Sequence, residues 1–313
     1  MSRIARRGAL PAVLVAAFAA AFFGLGAVSR STPTAAGITQ AAQVPYAPWY
    51  WTMVVSPRDP DVLVLGTNSG VFRSSDGAQT WRPSGLANVN VTSLVQAGST
   101  MFAGGVRGPN PIVRKGAGRT APDGPAVLAA STDEGKTWRT LRPRGLPNRT
   151  VQALAVDPAG GSALYALLND GGLYRSTDGA RSFRTVSPKI GAPPWALAIA
   201  DGGRFVAGDM DRGGFTSADG RAWRRTPFTD SRGGRMVMEY SVDPADLTRV
   251  VMSSVGIELS TDAGRTWRLA LRSKVMFGPV AWAPGSPGVA YAVGFDRSFW
   301  RSDDRGETWR QIS

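Results

Sequence analysis

Six copies of one short turn, spaced by roughly forty residues and flanked by apolar runs of strand length, predict an all-β fold: a six-bladed β-propeller of four-stranded antiparallel blades. The turn reads SSDGAQTW from Ser74, STDEGKTW from Ser131, STDGARSF from Ser176, STDAGRTW from Ser260 and SDDRGETW from Ser302, with a shorter form, SADGRAW, from Ser217. Composition agrees, because 38 Gly and 22 Pro beside 43% hydrophobic residues describe many short strands and many turns rather than long helices.

Each blade follows in order from its strands. The innermost strands are WTMVVSP, VTSLVQAG, VQALAVDP, PWALAIAD, VMEYSVDP and GPVAWAP. The second strands, such as VLVLGT and ALYALL, and the third, such as GVFRS and GLYRS, are rich in residues that fit a pleated, half-buried surface. The repeated turn follows the third strand, and runs such as WRTLRP and FRTVSP form the outermost. Within the turn, an Asp accepts hydrogen bonds from following backbone N–H groups, Gly permits positive φ, and Thr or Ser ties the far side. The closing aromatic then reaches the outgoing strand and packs between blades. Ala78 and Ala180 occupy the usual Gly place and the Ser217 copy is one residue short, so these three turns are expected to be less regular.

The pattern Ser-x-Asp-x-Gly-x-Thr-Trp resembles the Asp-box, or bacterial neuraminidase (BNR) repeat, of sialidase-superfamily propellers. In character the chain is most similar to photosystem II assembly-factor-like propellers. The resemblance covers the chain from Trp49 onward and makes Asp76, Asp133, Asp178, Asp219, Asp262 and Asp304 structural Asp-box residues. It speaks for fold more than function, because the same turn occurs in enzymes and non-enzymes.

Ahead of the repeats, Arg3, Arg6 and Arg7 precede an uncharged run over residues 8–28, a positive region followed by an apolar one that directs export. Residues 1–29 are either a cleaved signal peptide or an uncleaved membrane anchor, since the run reaches the ~20 residues a span requires. Residues 30–44 are small and polar and read as a flexible tether. The propeller occupies residues 45–313, which places it outside the cytoplasm: secreted, periplasmic or membrane-anchored.

Two absences narrow the chemistry. With Cys 0 and His 0, Ser-His-Asp and Cys-His catalysis and ordinary zinc sites are excluded, and neither a metal nor a cofactor is expected. The net charge of +13 favours an anionic partner. Exported, the chain would meet an acidic protein or envelope component, or an acidic glycan, near a membrane and not nucleic acid.

The predicted topology puts the Asp-box turns on one face and gathers cations on the other. Arg142, Arg144 and Arg149, Arg232 and Arg235, and Arg272 and Lys274 enter first strands, while an insertion over residues 104–125 adds Arg107, Arg114, Lys115 and Arg119. Arginine forks suit carboxylates and phosphates. The rim is therefore assigned to partner binding through Arg107, Arg114, Lys115, Arg119, Arg144, Arg149, Arg232, Arg235, Arg272 and Lys274. Trp49, Trp51, Trp195 and Phe277 fall near the channel mouth, where channel lining and core packing both remain open.

The functional reading is a non-catalytic scaffold that binds an acidic protein segment. The alternative is a sialidase-like exo-glycosidase acting on acidic glycans, in which Arg149, Arg235 and Arg272 converge on one carboxylate. Two features weigh against it. The sole Arg-Ile, Arg3-Ile4, lies in the export signal, and Glu239 and Tyr240, as strand neighbours, point to opposite faces.

Overall fold

A computed structural model of the protein describes residues 38, 40–108, 125–159, 163–190 and 195–313. The expected export signal, most of the tether, and Arg114, Lys115 and Arg119 lie outside the described residues. Among the described residues, no helix is long and apolar enough to cross a membrane.

The fold is an all-β propeller. Its first sheet runs β1 (Tyr50–Val55), β2 (Leu63–Thr67), β3 (Gly70–Ser74) and β4 (Arg82–Pro83). The second contains β5 (Val89–Ala97), β6 (Thr100–Arg107), β7 (Ala126–Ser131) and β8 (Arg139–Thr140). The third contains β9 (Val151–Val156), β10 (Leu164–Leu168), β11 (Leu173–Ser176) and β12 (Arg184–Ser187). The fourth contains β13 (Ala196–Ala200), β14 (Arg204–Asp209), β15 (Gly213–Ser217) and β16 (Arg224–Thr226). All four are four-stranded antiparallel blades with strands in chain order.

The expectation of six separate blades is corrected at the C-terminal end. β17 (Glu239–Asp243), β18 (Asp246–Ser260), β19 (Arg268–Trp282), β20 (Ala290–Gly294), β21 (Phe299–Ser302) and β22 (Arg310–Gln311) form one six-stranded sheet. The cause lies in β19, whose run RLALRSKVM contains no Gly or Pro to break it between the outer strand of the fifth repeat and the inner strand of the sixth. Breakers arrive only at Gly278-Pro279, where the pairing with β20 slips.

The repeated turns hold as their chemistry requires. In each, the first Ser donates its hydroxyl to the Asp carboxylate, at 2.7 Å for Ser131–Asp133 and 3.0 Å for Ser217–Asp219. The same Asp133 accepts the backbone N–H of Thr137 at 2.9 Å and its hydroxyl at 2.6 Å. The expected irregularity at Ala78 and Ala180 is absent. Every full-length turn places two successive residues at positive φ: Gly77 and Ala78, Glu134 and Gly135, Gly179 and Ala180, Ala263 and Gly264, Arg305 and Gly306. Glycine takes whichever of the two is convenient, and the first Ser hydroxyl accepts the N–H of the second position, Ala78 and Gly135 alike. The short copy uses Gly220 alone.

The closing aromatics divide the core. Trp138 joins Val64, Val71 and Val91 between the first two blades, Phe183 packs with residues of the second and third, and Trp223 with the third and fourth.

Ile38 and residues 40–44, expected to be a loose tether, are instead packed at the seam between the last and first repeats. Ile38, Ala41 and Val44 are buried in one cluster with Tyr50 and Met53 of the first blade and Tyr291 and Ile312 of the last repeat. The Ile38 N–H donates to the Tyr291 hydroxyl at 2.7 Å, and the Ala41 N–H to the Ile312 carbonyl at 3.2 Å. Arg301, only 2% exposed, donates to the Ile38 carbonyl, pairs with Asp303, and lies over the Tyr291 ring. The physical reason is an apolar gap at the seam that small apolar residues fill.

Candidate functional site

The inner strands enclose a central channel. Segments of β1, β5, β9, β13, β17 and β19 line a cavity of about 270 Å³ whose walls are mostly apolar, among them Val55, Leu94, Val156, Ile199 and Val242. Bulges interrupt β1, β5 and β9 at their leading ends, between Tyr50 and Thr52, between Val91 and Ser93, and opposite Leu167 and Leu168. The residues so displaced are Trp51, Thr92 and Gln152, and a bulge re-aims the side chain it carries.

At this end the indoles of Trp49, Trp51 and Trp195 stand in a row. Trp49 and Trp51 are stacked at 5.5 Å with planes 4° apart, and Trp51 and Trp195 at 5.6 Å and 16°. Trp51 is 5% exposed, with Met210 and Met238 packed against it. Trp49 and Trp195 are half-buried, and Phe295 meets Trp49 edge-on at 5.1 Å. Phe277, by contrast, is fully buried between Val251 and Val280 and belongs to the core. The Trp51 indole N–H donates to Asn90 Oδ1 at 2.7 Å. The Asn90 Nδ2 and both amide atoms of Gln152 are buried with no hydrogen-bond partner among the described residues.

Among the described residues, Glu239 is the only carboxyl lining the channel. Its residual exposure faces that enclosed space, and burial pushes its pKa well above the usual carboxyl range; hydrogen bonds from Thr52 and the Val280 N–H, the latter at 2.9 Å, oppose the shift without cancelling it. Its neighbour Tyr240 points between blades, stacking obliquely on Trp267 and donating to the Ala207 carbonyl. The two therefore do not meet.

A second buried carboxyl belongs to Glu258, 1% exposed, which takes the Ser254 hydroxyl at 2.9 Å from either oxygen. Burial pushes it up to about 8; the Ser254 hydrogen bond draws it down and the charge of Asp230 raises it again. Asp230 in turn accepts the N–H groups of Arg232, Gly234 and Met236 and so folds the loop that carries Arg232 and Arg235.

The expected cations are not all neighbours. Arg232 donates to the Lys274 carbonyl at 2.7 Å, which brings these two together. Arg149 is paired with Asp170 at 3.1 Å, both partners substantially exposed. Arg107 is exposed at the end of β6, and Arg235 stands beside Gly213. Arg144 departs from the expected rim. Its backbone N–H donates to the Arg181 carbonyl at 3.0 Å and its carbonyl accepts from Phe183 at 2.9 Å, which puts it, with Arg142, against the third Ser-x-Asp turn. The connection from β8 to β9 is long enough to lie along the next blade before it climbs to the inner strand, and sequence topology treats such a connection as a single loop at one end.

Asn90, Gln152 and the methionines escaped the sequence reading. No periodicity marks them, and only the unpaired amide in an otherwise apolar strand could have drawn notice.

The chain matches no known family profile. Among curated proteins it is similar to a xyloglucanase of Hypocrea jecorina, 28% identical over 205 residues that cover 60% of this chain and 23% of that one. It is also similar to a probable oligoxyloglucan-reducing end-specific xyloglucanase of Neosartorya fischeri, 26% identical over 93% of this chain and 40% of that one. The chain thus spans between about a quarter and two fifths of the length of these relatives. Among solved structures it resembles YCF48 bound to D1 peptide, with a TM-score of 0.54 and 20% identity over 88% of this chain and 84% of that chain. It also resembles a GH74 xyloglucanase from Xanthomonas campestris, with a TM-score of 0.51 and 18% identity over 86% and 46%. At these identities the structural likeness bears on the fold, a propeller.

Proposed function

We propose that the chain is a carbohydrate-active propeller that seats a neutral glucan of the xyloglucan kind on Trp49 and Trp195, the half-exposed indoles that flank Trp51. The observation that carries this reading is the row of near-parallel indoles at the channel mouth, with Trp49 and Trp195 half-exposed. Pyranose rings with equatorial hydroxyls present apolar faces that lie on indole rings. The Asn90 Nδ2 and the Gln152 amide, without partners among the described residues, are groups able to bond hydroxyls at the rims of those rings. Likeness to xyloglucanases over most of the chain supports a glycoside-hydrolase setting and replaces the acidic glycan of the sialidase alternative with a neutral one. Among the described residues the channel lining offers one carboxyl, Glu239, where glycoside hydrolysis takes two, and we assign the cavity to gripping substrate.

The test is titration of the protein with xyloglucan oligosaccharides, beside a reducing-end release assay. Trp195→Ala should weaken binding by about two- to tenfold, in line with the ~0.5–1.5 kcal/mol worth of an aromatic stack. If the unaltered protein neither binds nor cleaves these oligosaccharides, the reading is wrong.

A second reading, docking of an acidic protein segment as the sequence suggests, is favoured by the adjacent Arg232 and Lys274 and by likeness to a propeller that holds a peptide. Capture of a membrane protein that releases at high salt would mark it. Location outside the cytoplasm rests on the basic and apolar N-terminal segment. We also infer that the six-stranded sheet acts as two blades, since its strands supply two of the six segments lining the channel and the Ser254–Glu258 hydrogen bonds require β18 to double back.

A further inference from the structure

A second site lies outside the channel, at the end of the propeller that carries the Ser-x-Asp turns. There the segment leaving β8 and the third turn, from two successive repeats, form the walls of a cleft of about 650 Å³ lined by Arg139, Arg142, Arg144, Arg181 and Asp178. We infer that this cleft is a binding site for tetrahedral oxyanions, the phosphate or sulfate groups of a polyanionic ligand.

The cleft carries four guanidinium groups against a single carboxylate. All four arginines are exposed, and none makes a salt bridge within 4.0 Å of a carboxylate among the described residues. Asp178 does not offset them by pairing, because its carboxylate is spent on its own turn. One oxygen accepts the Ser176 hydroxyl and the N–H groups of Arg181 and Ser182, and the other accepts the Ser182 hydroxyl at 2.5 Å. Those bonds, led by the Ser182 hydroxyl, hold its pKa far below the usual carboxylate range.

The two walls are fixed to one another by main chain. The Arg144 N–H and carbonyl bond the Arg181 carbonyl and the Phe183 N–H, and the pairing is that of parallel strands. Gly145, at φ 73°, follows directly, and a Cβ there would lie 2.3 Å from the Phe183 carbonyl oxygen, so only glycine allows the approach. Anchored backbones leave only side-chain freedom to be lost on binding. A tetrahedral oxyanion presents three acceptor oxygens in different directions and can be held by forks from both walls at once. A planar carboxylate offers two oxygens to one fork.

Calorimetric titration of the full chain with inorganic pyrophosphate at low ionic strength tests the inference, with inorganic sulfate as a second probe and citrate as a carboxylate comparator. Saturable binding is expected, weakened by about tenfold or more in the Arg142→Gln/Arg181→Gln double variant and unchanged in an Arg224→Gln/Arg225→Gln control. Pyrophosphate binding without sulfate binding would assign the site to phosphate groups, and the reverse to sulfate. The inference fails if the unaltered protein shows no saturable binding of either, if the control loses as much as the cleft variant, or if citrate binds as tightly as the better probe. None of these outcomes depends on glucan binding at the opposite end.

Discussion

The Ser-x-Asp turns and the seam between the last and first repeats both satisfy backbone and polar groups at points where the chain must close, yet they draw on opposite distances along it. Asp133 finds its partners in Ser131 and Thr137, so any segment with that pattern can fold its own turn. At the seam, Tyr291 and Arg301 reach Ile38 across 253 and 263 residues. Closure by short-range bonds costs little chain entropy, and closure by long-range ones requires the rest of the propeller to be in place. Damage to a turn should therefore stay local, and damage to the seam should be felt by the whole fold.

The largest effect is expected at the seam. Arg301→Met removes a buried guanidinium that binds the Ile38 carbonyl and Asp303. It should lower stability by about 2 kcal/mol, because the buried Ile38 carbonyl loses its donor, in urea denaturation followed by Trp fluorescence. A loss below about 0.5 kcal/mol, the level of an ordinary surface change, would mean that Ile38 does not hold the ring closed.

Asp133→Ala should cost less, about 1 kcal/mol, as a typical net loss for exposed turn hydrogen bonds. Burial raises the Asp133 carboxyl, but hydrogen bonds from Thr137 and Ser131 outweigh it and bring the pKa down to about 2. A carboxyl lowered on folding stabilises the fold above its unfolded pKa, near 4, and that contribution disappears as pH falls toward 2. Melting temperatures between pH 5 and pH 2 should fall less steeply in the variant than in the unaltered protein.

Glu258→Gln tests the reverse sign. A carboxyl raised to about 8 favours the folded state below its unfolded pKa, and that advantage is lost as pH climbs toward 8. Between pH 6 and pH 9 the unaltered protein should lose melting temperature while the Gln variant stays level. Parallel curves would show that Glu258 is already ionised at pH 6.

Much of the fold was legible because its information is local. The six turns, the strands flanking them and the closing aromatics each carry a pattern within a dozen residues, and Trp138 and Phe183 lie between blades as their placement after the turn implied. The reading of the turns themselves was too strict at Ala78 and Ala180. It treated glycine as fixed to one place, whereas the turn has two left-handed positions, and a serine hydroxyl accepts the N–H of the second whether it is alanine or glycine. The candidate sites were much less legible. Arg144 and Arg149 are five residues apart in one loop, yet the first lies against the third turn and the second pairs with Asp170.

The order of residues alone therefore determined an all-β repeat protein, its turn chemistry and a positive charge seeking an anionic partner, because hydrogen bonding within a turn and strand alternation act between near neighbours. Tertiary structure decided which residues share a surface. It merged the last two repeats through β19, drew Ile38, Ala41 and Val44 into the seam, stacked Trp49, Trp51 and Trp195, and set four arginines around one cleft. The physical reason is that packing and cavity shape depend on contacts between distant segments, and no local pattern specifies which of them will meet.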